Sequence, residues 1–223
     1  VTTTTATLNA AQGIGIAGLA DIDTMIGTLI ASNTASGTIV IEELAAGGDI
    51  ALGAVSNGNR DVTITAAGGA ITDGNAAVLN VTAGVLSLNA ANGIGSGNAI
   101  EISVNSLNAT NTTTGNIEIV ESNGLSIDGT GVRTLGGNGS ISIDVDSGNL
   151  SVNSVVTADG SGNVTLNADA GTITLGSVVS STTGNLVISG DVVNQNANIL
   201  TGGTGTIGVT ADNGSITMTD GTT

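Results

Sequence analysis

One short unit recurs along this chain, and its spacing constrains the fold more than any other feature of the sequence. In each copy, aliphatic residues at alternate positions precede a small polar link that ends in glycine, and a second alternating segment follows. Residues 164–175 (VTLNADAGTITL) and 207–218 (IGVTADNGSITM) are two clear copies. Most copies start about 21–24 residues apart, which is a period typical of stacked repeats. The other copies begin near Ile41, Val62, Leu86, Ile117, Ile141 and Leu186.

The alternation of Val, Ile and Leu with Thr, Ser and Asn predicts short β-strands. Asn-Gly pairs such as Asn123-Gly124 and Asn213-Gly214 supply tight corners, but they also mark antiparallel hairpins, so a β-sandwich is the competing fold. A fixed period favours a solenoid, because every copy then has the same neighbours. We therefore predict an all-β fold, a right-handed parallel β-helix of about ten coils of about 21–24 residues, with residues 1–223 as a single domain.

Two segments fit the repeat less well. The long interval between the copies that start at Leu86 and Ile117 predicts an irregular or inserted segment near residues 97–116. The repeat is also weak near residues 15–36, where aliphatic residues at helical spacing predict a short helix on the rod, although glycines in the segment oppose it. The residues with this spacing are Leu19, Ile22, Ile26 and Leu29.

The composition restricts both the residue types that can form the core and the partners that the chain can bind. The chain has no aromatic residue and no cysteine, so its core must be built from small aliphatic side chains, which suits a narrow and repetitive interior. The net charge is −16, and Arg60 and Arg133 are the only basic residues. We therefore expect no nucleic-acid partner, because phosphate binding needs Lys and Arg. No apolar run is long enough for a membrane helix, so we expect no membrane insertion.

Units of the form Gly-Asn-aliphatic, such as Gly162-Asn163-Val164 and Gly184-Asn185-Leu186, resemble the repeats of filamentous-haemagglutinin-like exoproteins. These are large secreted adhesins of Gram-negative bacteria. The resemblance covers nearly the whole chain and is clearest over residues 115–219. It implies an adhesive or structural rod that is extracellular, at the cell surface or in a surrounding matrix. Because exposed coil ends carry unpaired strand edges, we also expect self-association through the ends, as in a head-to-tail filament.

Asp144 and Asp146 form a candidate calcium site. Alternate residues of a strand face the same side, and calcium takes several oxygen ligands. The competing interpretation is solvated surface charge. No other cofactor is expected: the glycine fingerprints at residues 13–18 and 203–208 lack the helix and the distal acid of a dinucleotide site, so we interpret them as corner glycines.

We expect no enzymatic activity. Polysaccharide hydrolysis needs converging carboxylates, and lyase chemistry needs a base beside a cation, whereas Arg60 and Arg133 fall in different coils. A polysaccharide-active β-helix is therefore the weaker alternative function, and an ice-binding β-helix with an array of threonines is the stronger one. The residues that suggest such an array are the pairs Thr63/Thr65, Thr172/Thr174 and Thr217/Thr219. Strands that contain charged residues lie between these pairs in the sequence and interrupt the array.

Overall fold

The computed structural model describes residues 1–16, 21–44, 46 and 48–223, and the regular secondary structure of these residues consists of β-strands. The strands are β1 (Thr2–Ala10), β2 (Ile22–Asn33), β3 (Ile39–Glu43), β4 (Ile50–Ser56), β5 (Val62–Ala66), β6 (Ile71–Asp73), β7 (Val81–Ala90), β8 (Ile100–Asn111), β9 (Ile117–Glu121), β10 (Leu125–Thr134), β11 (Ile141–Val145), β12 (Leu150–Val152), β13 (Val156–Ala158), β14 (Val164–Leu175), β15 (Val179–Ser181), β16 (Leu186–Gln195), β17 (Ile199–Leu200), β18 (Ile207–Ala211) and β19 (Ile216–Met218).

The strands pair in parallel with strands one coil away, which confirms the predicted parallel β-helix, with about nine turns. At about 4.8 Å per turn, the stack is about 40–45 Å long. One column of paired residues shows the period directly, because successive members are 21–24 residues apart. Its members are Ile50, Ile71, Ile94, Ile117, Ile141, Val164, Leu186 and Ile207.

Each coil in the carboxyl-terminal half has three faces. Face 1 carries β9, β11, the first halves of β14 and β16, and β18. Face 2 carries β12, the second halves of β14 and β16, and β19. Face 3 carries the second half of β10, then β13, β15 and β17. The chain runs through the faces in this order, and short polar corners separate them.

The core is a single aliphatic cluster that runs along the axis. Leu166 is typical of it: the side chain is fully buried, and the residue pairs with Ile143 in the preceding coil and with Ile188 in the following coil. Burial of one such side chain stabilises the fold by roughly 1.5–3 kcal/mol. Since each inward position repeats in the next coil, small side chains stacked on one another fill the interior without an aromatic residue.

The helix predicted within residues 15–36 is wrong, because Ile22–Asn33 is strand β2. The inward-facing residues of β2 first lie at even positions up to Ile26 and then at odd positions from Leu29 onward. The strand bends between these two positions as it passes from one face to the next. This change of phase within one strand mimics helical spacing in the sequence. Leu19 lies outside the described residues.

The segment near residues 97–116 contains β8, which pairs with β7 from Val81↔Ile102 to Ala90↔Asn111. The long interval in the repeat has a simple geometric origin. Leu86 stacks beneath Leu107 in a column that continues through Ile127 to Val152 on face 2, whereas Ile117 begins face 1. The two successive copies of the sequence motif therefore start on different faces, one coil and part of another apart.

Candidate functional site

At the corner where the chain enters face 1, each of the last five coils places a glycine two residues before the first aliphatic residue of the face. A Cβ atom on any of the last four of these glycines would lie less than 3.0 Å from the carbonyl oxygen of the glycine one coil earlier. Real Cβ atoms essentially never approach so closely, so the backbones can touch here only where the side chain is absent. The glycines are Gly115, Gly139, Gly162, Gly184 and Gly205.

The residue after each glycine links its coil to the next through a side-chain oxygen. Asn116 Oδ1 accepts a hydrogen bond from the backbone N–H of Ser140 at 3.0 Å, and Ser140 Oγ accepts one from Asn163 at 3.0 Å. Asn163 Oδ1 accepts the N–H of Asn185 at 2.8 Å, and Asn185 Oδ1 accepts the N–H of Thr206 at 2.9 Å. Four side-chain-to-backbone bonds in series therefore join five coils. We call these glycines and the residues that follow them the face-1 corner.

The face-1 corner explains the Gly-Asn-aliphatic pattern of the sequence. The glycine allows contact between coils, the asparagine supplies an acceptor for a backbone N–H at the turn, and the aliphatic residue begins the buried column. The corner asparagines Asn116 and Asn163 each hydrogen-bond to the following coil. Ser140 has the same role although it departs from the Gly-Asn pattern, because the geometry requires only an oxygen acceptor. A related bond joins Thr172 N–H to Asn149 at the corner before face 2.

Asn163→Ala is expected to lower stability by about 1–2 kcal/mol, because the backbone N–H of Asn185 loses its acceptor. Asn163→Ser should recover most of this loss, since Ser140 already performs the same role one coil earlier. Urea unfolding followed by circular dichroism measures both variants. Equal losses in the two variants would contradict the proposed role of the side-chain oxygen.

Inward-facing asparagines form hydrogen bonds that stabilise other corners. Asn57 donates to the carbonyl oxygen of Asp61 at 2.7 Å and accepts from Arg60 Nε at 3.2 Å. The Arg60 guanidinium also donates to the carbonyl oxygen of Asn33 at 3.0 Å. Arg60 therefore stabilises a corner through hydrogen bonds. Arg133 lies in a different coil, as expected, and pairs in register with Thr110 and Thr157. The buried asparagines of this kind are Asn33, Asn57, Asn80 and Asn111.

The structure places the candidate calcium ligand Asp144 beside an amide group. Asn167 Nδ2 donates to Asp144 Oδ1 at 2.8 Å and also to the carboxylate of Asp169. Burial raises the pKa of Asp144, the bond from Asn167 opposes this rise, and the charges of Asp169 and Asp146 add to it. The amide group of Asn167 therefore donates N–H bonds to both carboxylates. Calcium binding by Asp144 and Asp146 stays a prediction.

A second group of acids, absent from the predicted site, comes together from the residue before β2, from β2 itself and from β3. One carboxylate oxygen from each of Asp21, Asp23 and Glu42 lies within 4.8 Å of the others. A hydrogen bond with Asp21 raises the pKa of Glu42, and slight burial and the charges of Asp21 and Asp23 raise it further. Exposed acidic groups of this kind are common without a metal ion.

The threonine pairs and the glycine fingerprints fall on separate parts of the rod. Thr63 lies in β5 and stacks through Ser87 onto Asn108 of β8, whereas Thr174 and Thr217 lie on face 2, with Asn194 between them. In the fingerprints, the N–H of Gly13 donates to Asn33, and Gly205 belongs to the face-1 corner. Both of these glycines therefore occupy corners, while residues 17 and 18 lie outside the described residues.

Comparisons with protein-family models, with curated proteins and with solved structures found no match. In the part of the chain that the structure describes, no helix is long and apolar enough to cross a membrane.

An open groove on face 1 runs across three coils, with walls formed by outward-facing side chains and strand backbone. Its lining residues are Ser142, Ile143, Asp144, Thr165, Leu166, Asn167, Val187 and Ser189.

Proposed function

We propose that this chain is an extracellular, non-catalytic rod that serves as a structural or adhesive component of a cell surface or matrix, and that it assembles head to tail through its coil ends. The observation that carries this proposal is the continuity of the stack. Core columns and corner hydrogen bonds repeat along the axis, so the architecture is suited to holding two ends apart. The resemblance to filamentous-haemagglutinin-like exoproteins supports a location outside a Gram-negative cell.

The last coil described exposes apolar side chains whose counterparts in earlier coils are buried. Val164 and Leu186 are fully buried, whereas Ile207 in the same column is 46% exposed. On face 2, Val193 is fully buried and its partner Ile216 is 47% exposed. In addition, the outer edges of β18 and β19 carry backbone groups that a further parallel coil would pair. We propose that the first coil of a second copy of this chain covers this surface.

Electron microscopy and sedimentation velocity of the purified chain test the assembly. We expect fibres of constant width whose length increases with protein concentration. Isolated short rods at every concentration would contradict head-to-tail assembly and leave a stalk that acts as a single copy.

Ile216→Lys and Val187→Lys form a matched pair for this test. Val187 is 46% exposed on the side of face 1, so both variants place the same charge at similarly exposed aliphatic positions. We expect the Ile216 variant to abolish fibres, because lysine at the end of the stack prevents apolar contact, and the Val187 variant to keep them. Fibres that survive both changes, or disappear in both, would contradict assembly through the coil ends.

A further inference from the structure

Two separated segments of the chain are copies of one larger unit. Residues 8–15 (LNAAQGIG) and 88–95 (LNAANGIG) are identical at seven of eight positions. The likeness continues with buried asparagines at Asn33 and Asn111 and with strands β3 and β9, which end in Glu43 and Glu121. A repeat of this length spans several coils and is distinct from the coil period.

The two copies share their hydrogen bonds. Asn33 Oδ1 accepts the N–H of Gly13 at 2.9 Å, and Asn111 Oδ1 accepts the N–H of Gly93 at 2.8 Å. Each asparagine also donates to two carbonyl oxygens of the corner that follows it, including that of Gly37 in the first copy. The likeness in sequence therefore reflects one three-dimensional arrangement that occurs twice.

The second copy lies on a different side of the rod. The column that contains Ile41 of β3 runs through β5, β7, β8 and β10 to Val156 of β13 on face 3, and the column that contains Ile39 runs to Val152 of β12 on face 2. Strand β9 of the second copy stacks on β11, which is on face 1. The same unit therefore occurs on two sides of the rod.

Each copy contains a buried glutamate that closes a bend in the preceding coil. Where β2 and β8 pass between faces, one backbone N–H is left without a strand partner. Glu43 Oε2 accepts the N–H of Ile26 at 2.8 Å, and Glu121 Oε2 accepts the N–H of Val104 at 2.9 Å. Both pairs are 17 residues apart. We call each glutamate with its bound N–H a carboxylate clasp.

The two clasps differ in the residue that pairs in register with the glutamate. Glu43 pairs in register with Thr24, whose hydroxyl donates to Glu43 Oε2 at 3.0 Å. Glu121 pairs in register with Ile102, which offers no donor, and its second oxygen accepts the N–H of Asn123 at 3.0 Å. The in-register neighbour therefore supplies a hydroxyl donor to Glu43 and none to Glu121.

We propose that the clasp at Glu121 is a pH-sensitive device: the protonated side chain holds the bend of β8 closed, and loss of the proton loosens it. Two geometric observations support this proposal. The carboxyl group has no exposed surface, and its Oε2 atom accepts the backbone N–H of Val104 at the bend. An ionised carboxylate gains free energy by reaching water, and opening of the bend is the route to water.

The surroundings of Glu121 favour its neutral form. Burial raises its pKa to about 7, against the opposing effect of N–H groups of Val104, Asn123 and Ser122, and the charge of Asp146 adds to the rise. The other charged groups on the packed strands are partly exposed and mainly acidic. They are Glu101 on β8, Glu118 on β9, Asp128 and Arg133 on β10, and Asp144 on β11.

The direction of the pH effect follows from the raised pKa. Below about pH 4.5 the carboxyl is protonated in both the closed and the open clasp, so the closed form has its full stability. As the pH rises to about 7, the open form loses its proton first, and closure weakens progressively.

Two NMR measurements on the full chain test the proposal. The carboxyl carbon of Glu121, assigned with Glu121→Gln, is expected to titrate with a midpoint within about one unit of pH 7. The protection factor of the Val104 amide, corrected for intrinsic exchange, should fall on the order of 50-fold between pH 5 and pH 8. The Leu186 amide, which donates to the carbonyl oxygen of Thr206, is the internal control and should show no such fall.

Ile102→Thr gives the sharpest comparison, because it installs the donor that Thr24 provides in the other copy. We expect it to lower the titration midpoint of Glu121 and to reduce the fall in Val104 protection. A wild-type midpoint below about pH 5.5, or Val104 protection that does not change with pH, would overturn the proposal. The wild-type titration decides the matter even if a variant fails to fold.

Discussion

Leu166→Lys is expected to unfold the coils around it and to lower stability by more than about 4 kcal/mol. Leu166 is fully buried between Ile143 and Ile188, so a lysine there places an unpaired charge in a column without a polar partner. Because each coil is supported only by its neighbours, the damage should spread along the axis. Thermal unfolding followed by circular dichroism measures the loss.

Thr165→Lys is the matched control for this substitution. It introduces the same charge one residue away, at an outward-facing and partly exposed position of the same strand. We expect a change within about 0.5 kcal/mol. Comparable losses at the two positions would contradict the alternation of buried and exposed side chains on which the fold depends.

Gly162→Ala is expected to cost about 3 kcal/mol or more, although it adds only a methyl group. The new Cβ would lie less than 3.0 Å from the carbonyl oxygen of Gly139, and this oxygen belongs to a backbone that the neighbouring coils hold in place. Relief of the clash requires the coils to separate, which would also lengthen the bond between Asn163 and Ser140. Chemical unfolding measures the effect.

Gly208→Ala tests whether contact between coils is the cause. Gly208 lies in β18, and the nearest atom to an added Cβ is the carbonyl oxygen of Leu186 at 3.9 Å, an ordinary contact distance. We expect little loss or a small gain in stability, since alanine has less backbone freedom in the unfolded chain. A large loss for Gly208→Ala, or a negligible one for Gly162→Ala, would show that steric contact between coils does not determine where glycine is required.

The fold could be predicted because its determinants recur in the sequence. Alternation around Leu166 marks a strand with one buried side, and the spacing from Ile141 to Val164 to Leu186 marks stacked coils. The helix predicted around Ile26 failed because a bend shifts the alternation by one residue within β2, and a local pattern cannot distinguish this shift from helical spacing.

The candidate site was predictable only in part. The face-1 corner is visible in the sequence as Gly162-Asn163 and Gly184-Asn185, because each coil repeats it. The carboxylate clasps were missed, since Glu121 resembles any acid at the end of a strand. Its partner Val104 is 17 residues away, and no short motif connects the two.

The sequence by itself determined that this chain stacks in parallel coils about a narrow aliphatic core, because alternation, period and corner glycines are local properties repeated in every coil. Only the tertiary structure decided which residues meet across coils. Pairing advances by 20 residues from Leu107 to Ile127 but by 25 from Ile127 to Val152, so the register accumulates from corners of different length. That accumulated register puts β3 and β9 on different faces and brings Glu121 to the N–H of Val104.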